Sequence, residues 1–254
     1  MIFHTFPIFI GGLQRSGTSL LRGIIGSHPT IAIYPRDIPI WTHFYPQYIK
    51  HRNLKRSVSD ILSHPKVKLV GGNIRVTTSF NDMAHEFLRL YARSVSKACY
   101  GLKMPGQQFQ ADQILQKHCI FIHMMRNPCD TFASHKSVGY VSDQEEFAAK
   151  WQQSAKIALK NRHKHGQRYV IIRYEDLVTS PAAVIRQICN SIGVIYCPEM
   201  LKMEGQPLWE GSNSAFPDIG GWKTGGLRKI ATSGIGRFNN QPKFEIEEMK
   251  HFDY

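Results

Sequence analysis

Carboxylates are scarce in this chain of 254 residues. Nineteen Asp and Glu stand against 32 Lys and Arg, for a formal net charge of +13. A surface so poor in acid favours anionic partners: nucleotides, sulfated or phosphorylated groups, acidic peptides, nucleic acid or anionic membrane. Cysteine is also sparse. The five residues Cys99, Cys119, Cys129, Cys189 and Cys197 are odd in number and form no C-x-x-C. That argues against a disulfide framework or a zinc site and points to a reducing, cytoplasmic setting. No apolar run approaches the roughly 20 residues of a membrane helix, so no membrane span is expected. The opening MIFHTFPIFIGG lacks the basic start of a signal peptide. None of the 12 histidines belongs to an H-E-x-x-H motif, and His163 and His165 fall in a basic helix end, so no metal is expected. Repeats and low-complexity linkers are absent. With 42% hydrophobic residues, the length suits one domain over 1–254 with a sizeable core.

What is present alternates. Short apolar, β-branched runs at 8–11, 30–33, 101–104, 119–125 and 169–173 read as strands. Helical spacing separates them. One helix runs from Thr18 to near Ser27. A long one opens at Ser142, with Glu145 completing a capping box, carries Phe147, Trp151, Ala155 and Leu159 on one face, and stops at Gly166. Another runs from Pro181 to Gly193. Continuous apolar strands between helices predict an α/β fold of three layers, a central parallel sheet flanked by helices as in P-loop NTPases. Residues 35–80 are less regular, rich in aromatics and bases, and read as an irregular insertion on the acceptor side. The charge is uneven. Residues 1–81 hold ten Lys or Arg against only Asp37 and Asp60, which is +8 of the total.

The sharpest feature is GGLQRSGTSLL at 11–21, which leaves the first strand and opens the first helix. From Gly12 it reads G-x-x-x-x-G-T-S, the spacing of a phosphate loop. Glycines let successive N–H groups turn inward, and the helix start adds its positive dipole end. The lysine that an NTPase needs before its Ser/Thr is replaced by Thr18, and the cation sits inside the loop at Arg15. Such a loop suits an anion without a triphosphate tail. Gly12, Gln14, Arg15, Ser16, Gly17, Thr18 and Ser19 are the candidate contacts.

A second segment, CIFIHMMRNPCDTFAS at 119–134, reads as a buried strand, a turn and a helix start. Arg126 falls at the strand's end and Ser134 two turns later, where both can converge on one anion. A helix-terminal arginine and a surface serine would look the same.

These segments resemble the sulfotransferase family, which uses 3′-phosphoadenosine 5′-phosphosulfate (PAPS) as donor. GGLQRSGTSLL is similar to the family's 5′-phosphosulfate loop, in the R-S-G-T form of tyrosylprotein sulfotransferases and bacterial relatives. Cytosolic members place lysine where Arg15 stands, and Gln14 occupies a position often held by proline. R-N-P-x-D-x-x-x-S is similar to the 3′-phosphate segment, which implies that Arg126 and Ser134 contact that phosphate. R-Y-E-D-L implies an adenine contact for Tyr174, with Glu175 and Asp176 read as structural caps. RKIATSGIGRF resembles the late basic loop that closes over the 3′-phosphate, implying Ser233 and Arg237. The four matches follow the family's order from about residue 8 to about residue 240.

The resemblance implies in-line transfer of a sulfuryl group to an acceptor hydroxyl, with Arg15, loop amides and the Thr18 and Ser19 hydroxyls meeting charge on the bridging oxygen, and no metal. In the tyrosylprotein branch a glutamate after the second strand is the base. Counting places Arg36 there and Asp37 beside it, so Asp37 is the first candidate base and His43 the second. His85 reads as a surface residue. Bases at 50–56 suit an acidic peptide or an anionic sugar. Trp41, Phe44, Tyr45 and Tyr48 equally suit a pocket for an aromatic or apolar alcohol. Two rivals remain. A P-loop kinase lacks its lysine and its strand-end carboxylate here, since the strand ends in Met125 and Arg126. A nucleic-acid-binding module lacks any helix-turn-helix, RNA-recognition or zinc-finger signature.

Overall fold

The computed structural model describes residues 6–64, 67, 79–140, 143–203, 230–236 and 243–254. Five parallel strands form its sheet: β1 (Ile8–Gly12), β2 (Ile31–Ile33), β3 (Cys99–Lys103), β4 (Ile120–Met125) and β5 (Tyr169–Arg173), in the order β2-β3-β1-β4-β5. β1 is central. It pairs Ile10 with Lys103 on one side and Gly12 with Met124 on the other. All five β1 residues are buried, as a strand covered on both faces requires.

Side chains alternate across β1 and so define the two flanking layers. Ile8 and Ile10 pack with Leu21, Ile24 and Ile25 of α1 (Thr18–Gly26) and with Ile185, Ile188 and Ile192 of α9 (Pro181–Ile192). Phe9 faces the other way, against Trp41, His85 and an aromatic-rich layer containing Phe80, Phe87 and Tyr100. Each fully buried Ile or Leu contributes about 1.5–3 kcal/mol, so either layer outweighs any single polar contact in the fold. A third cluster joins Phe132 of α6 (Pro128–Lys136) to Phe147, Trp151 and Ala155 of α7 (Gln144–His165), with Phe244 and Phe252 added from the end of the chain.

The stretch expected to be irregular is largely helical where it is described. A π-helical turn at Ile40–Phe44 leads into α2 (Tyr45–His51) and α3 (Leu54–Leu62), and α4 (Phe80–Ser94) follows, with the short α5 (Ala111–Ile114) after β3. α2 and α3 are too short for their periodicity to register, and Asn53 caps α3 by accepting from the Arg56 amide. α7 also begins differently from the expected capping box. Asp143 is its cap, accepting from the amides of Glu145 and Glu146 at 2.8 and 3.1 Å, while Ser142 lies outside the described residues. His85 is buried rather than on the surface, because α4 turns it inward onto the Tyr100 hydroxyl, 3.0 Å away. All five cysteines are free thiols. Among the described residues no helix is long and apolar enough to cross a membrane.

Because all the strands are parallel, Gly12, Lys103, Met125 and Arg173 end at one edge of the sheet. Ligand sites of open α/β sheets lie beyond that edge.

Candidate active site

The loop after β1 folds on itself. Ser16 donates from both its hydroxyl and its amide to the Leu13 carbonyl, at 2.7 and 3.2 Å, closing the turn. Arg15 holds a left-handed backbone (φ 67°), and Gly17 precedes α1 in the same region (φ 92°). α1 starts without a capping side chain and without an acidic residue in its first turn. Its first amides, at Thr18 and Ser19, therefore have no intrahelical partner and suit an anion. Thr18 is buried and Ser19 half-buried.

α6 supports this loop from the side. Arg15 Nε donates to Ser134 Oγ at 3.0 Å, and His135 Nε2 donates to the Gln14 carbonyl at 2.8 Å. Gln14 itself is exposed. Arg126, at the end of β4, is buried, and its Nη1 donates to the Arg15 carbonyl at 2.7 Å. Its Nη2 donates to the Gly234 carbonyl. Its own carbonyl accepts from Trp151 Nε1 at 2.9 Å. The Arg126 guanidinium also lies 4.4 Å from the Tyr174 ring centroid, at cation–π distance.

Tyr174 opens α8 (Tyr174–Thr179) and is wedged between two glycines. A Cβ at Gly17 would fall 2.6 Å from Tyr174 Cδ2, and one at Gly234 would fall 2.1 Å from its hydroxyl. Neither position accepts a side chain without moving the ring. Glu175, next in sequence, ties α8 to the start of α6. It accepts from the Asn127 amide at 3.0 Å and from the Tyr254 hydroxyl at 2.8 Å, which is a structural role.

The late loop reaches the same crevice. Gly236 donates its amide to the buried Asp130 carboxylate at 2.9 Å. Ser233 lies beside Gly234 on an exposed turn. Arg237 lies outside the described residues.

Asp37 does not pair with Arg36. Both of its oxygens lie on Lys103 Nζ, at 2.7 and 2.8 Å, and the Lys103 side chain is only 1% exposed. Burial lowers the Arg22 pKa to about 10, with Asp37 and then Tyr91 pushing it back up. Tyr140 is half-buried. Burial raises its pKa, the Arg15 charge lowers it and the Asp37 charge raises it. His43, by contrast, is exposed, with its ring against Phe44.

The structure thus brings together the loop residues 12–19, Arg126, Ser134 and Tyr174. Asp37 sits on Lys103, the last residue of β3 at the same edge of the sheet, and His43 is exposed with its ring against Phe44. Lys103, Arg22, Tyr140 and Asp130 were not anticipated. Lys103 and Arg22 did leave a signal, since each is a lone cation within an apolar run, YGLKM and LLRGIIG. Of the four aromatics considered for an acceptor pocket, two are buried in the core and two are half-buried. Trp41 and Phe44 are core residues, with Trp41 Nε1 donating to Asn81, and Tyr45 and Tyr48 pack on Phe80.

The residues present fit a nucleotide carrying two anionic ends. Arg15 and the open amides of α1 stand at one point with Arg126 and Ser134 beside them, and the nearby carboxylates Asp130 and Glu175 accept from the Gly236 and Asn127 amides. Comparison with known proteins agrees on the fold. A "Sulfotransferase Domain from the Synechococcus PCC 7002 Olefin Synthase" aligns over 99% of this chain and 96% of its own, with a TM-score of 0.65 and 20% identity. Mouse sulfotransferase SULT7A1, solved with PAP (adenosine 3′,5′-bisphosphate), aligns over 98% of this chain and 81% of its own, with a TM-score of 0.51 and 14% identity. A Caenorhabditis briggsae protein named "Putative protein-tyrosine sulfotransferase" is 24% identical over 206 residues, 76% of this chain and 68% of its own. The profile of the sulfotransferase family matches residues 7–198, well over half the length, and the chain belongs to that family.

Proposed function

We propose that this sulfotransferase takes its sulfuryl group from PAPS and places it on an acceptor hydroxyl by in-line displacement. The observation that carries the reading is the convergence of three groups from two strand ends: Arg15 on Ser134, and Arg126 on the carbonyl of Arg15. In support, the same fold is found in a mouse enzyme solved with PAP.

When bound, the donor supplies an electrophilic sulfur and a phosphate leaving group. The chain supplies placement and charge. Arg15 and the Thr18 and Ser19 amides and hydroxyls hold the 5′ end, where charge develops on the bridging oxygen. Arg126 and Ser134 hold the 3′-phosphate and Tyr174 faces the adenine, with Ser233 and, by the family resemblance, Arg237 as further contacts of the 3′-phosphate. Asp37 takes the acceptor's proton, since it is seated on the Lys103 ammonium at the strand ends, whereas His43 is exposed against Phe44. Lys103, paired with Asp37, adds a second cation to this side of the site. These cations answer the leaving group's charge without calling on a metal ion.

The acceptor reading follows from what surrounds Asp37 in sequence. Lys50, Arg52, Lys55 and Arg56 are exposed on α2, α3 and the turn between them, with Asp60 paired to Arg56. This favours an anionic acceptor, such as an acidic peptide or a sulfated or uronic sugar, over an apolar alcohol.

Thermal denaturation with adenosine 3′,5′-bisphosphate against ATP plus magnesium tests the donor assignment. A ligand at 100 times its Kd adds about 2.7 kcal/mol of stability. The expected result is a clear upward shift with the bisphosphate and little with ATP. A strong shift with ATP plus magnesium and none with the bisphosphate would make this a kinase site.

A further inference from the structure

Beyond Lys103 the chain does not leave the sheet. It turns back across the end of β1 and continues its hydrogen bonding by other means. Met104 donates its amide to the Ile10 carbonyl at 3.1 Å, and Gly106 donates to the Gly12 carbonyl at 2.9 Å. Gln107 Nε2 donates to the carbonyls of Ile10 and Leu102, at 2.7 and 3.2 Å. Gln108 Oε1 then accepts from the Gly12 amide at 2.9 Å. Both backbone groups of Gly12, where the phosphate loop begins, are therefore held by the stretch 103–108. That same stretch starts with the lysine on Asp37.

Gln108 is itself held from below. Its Nε2 donates to Ser154 Oγ at 3.4 Å. Ser154 Oγ lies 3.0 Å from His123 Nε2, and His123 Nδ1 lies 2.7 Å from the Tyr169 hydroxyl. Gln108, Ser154, His123 and Tyr169 are all essentially buried. His123 stands in the middle of β4 among apolar neighbours, and burial pushes it down to about 3, so the chain of contacts carries no charge at working pH.

A buried polar chain of this length is not needed to hold a core together. Apolar residues of the same shape would do that without the cost of desolvating four polar side chains. What the chain achieves is direction, because it ends on a single backbone amide of the phosphate loop. We propose that Gln108 is a positioning residue for sulfuryl transfer, fixing the Gly12 end of the phosphate loop relative to Lys103, with Ser154, His123 and Tyr169 fixing Gln108. The proposal rests on the donor reading of that loop.

The test uses the whole chain and two readouts. One is hydrogen exchange at the Gly12 amide. The other is calorimetric binding of adenosine 3′,5′-bisphosphate, which separates affinity from the fraction of competent sites. Gln108→Leu is expected to speed Gly12 exchange and to weaken bisphosphate affinity, each by about tenfold or more. Amides within β4 and β5 should stay protected and the binding stoichiometry unchanged. A merely structural defect would lower the stoichiometry and leave the affinity of the remaining sites intact. Ser154→Ala should act in the same direction but less. Combined with Gln108→Leu it should add nothing, because both act on one contact. Unchanged Gly12 exchange, unchanged affinity or additive effects would each overturn the proposal. If the unmodified protein does not bind the bisphosphate, the donor reading falls and takes this proposal with it. If it binds and Gln108→Leu binds equally well, this proposal alone is lost.

Discussion

Arg126 Nη1 donates to the Arg15 carbonyl across 2.7 Å, so the arginine ending β4 braces the backbone of the loop that follows β1. The two residues are 111 positions apart and meet because their strands pair in parallel, Gly12 opposite Met124. One guanidinium thereby holds the phosphate loop by its Nη1, the late loop by its Nη2, and the face of Tyr174 by its plane.

A cation alone does not reproduce that geometry. Arg126→Lys keeps the charge but loses the planar fork and the stacking on Tyr174. It is expected to weaken adenosine 3′,5′-bisphosphate binding at least about tenfold, much as Arg126→Ala does. Calorimetric titration of both variants decides the matter. Near-normal affinity in Arg126→Lys would mean that charge alone matters at this position.

Asp37 and Lys103 make the second test. Asp37→Asn keeps a polar group against Lys103 but cannot accept a proton. Turnover should drop by about 10²–10⁴, the usual worth of a positioned base, with bisphosphate affinity nearly unchanged. His43→Ala should leave turnover close to normal, since His43 is exposed and rests only on Phe44 among its described ring contacts. Steady-state rates on both variants check this. The opposite pattern would hand the base role to His43.

Much of this site was legible in sequence, and the reasons are local. β1, its glycine-rich turn and α1 announce themselves by an apolar run, glycines and an apolar helix face within a short span. β4 and β5 are near-continuous apolar runs, and α9 is punctuated by Pro181 and Gly193. What escaped depends on distance along the chain. Asp37 meets Lys103 across 66 positions, and Gly12 meets Gln108 across 96. Nothing near either residue encodes its partner. His85 looked like a surface residue because its partner, the Tyr100 hydroxyl, is on a strand it reaches only after folding. The helices at 45–62 were missed because short helices carry little periodicity.

Buried histidines predict an acid-side weakness. Burial lowers the pKa of His28, His85, His123 and His135, to about 4 for His85 and about 3 for His123. In the unfolded chain each returns to about 6.5. Below that pH the unfolded chain takes up protons that the folded one refuses until its own lower pKa is reached. The stability is therefore full above about pH 6.5 and is lost as pH falls toward 4. At pH 5, His85 and His123 each cost about 2 kcal/mol relative to pH 8. Urea denaturation from pH 8 to pH 5 should show falling midpoints, with a shallower fall in His85→Gln. A flat profile would contradict the buried, neutral state of these rings.

Gly17 offers the most economical test of the crevice. Its φ of 92° costs an L-residue about 1–2 kcal/mol, and an added Cβ would stand 2.6 Å from Tyr174 Cδ2. Tyr174 cannot withdraw freely, because Arg126 lies on its face and Gly234 against its hydroxyl. Gly17→Ala should therefore disturb Arg126 as well as the loop and abolish bisphosphate binding while leaving the fold intact. Tyr174→Ala on that background removes the clash but not the backbone strain. It should recover part of the lost thermal stability without restoring affinity, since the stacking partner of Arg126 is then gone. Melting curves and bisphosphate titrations on the single and double variants separate the two costs. Normal binding in Gly17→Ala would show that the loop and Tyr174 are not in the contact on which the site is built.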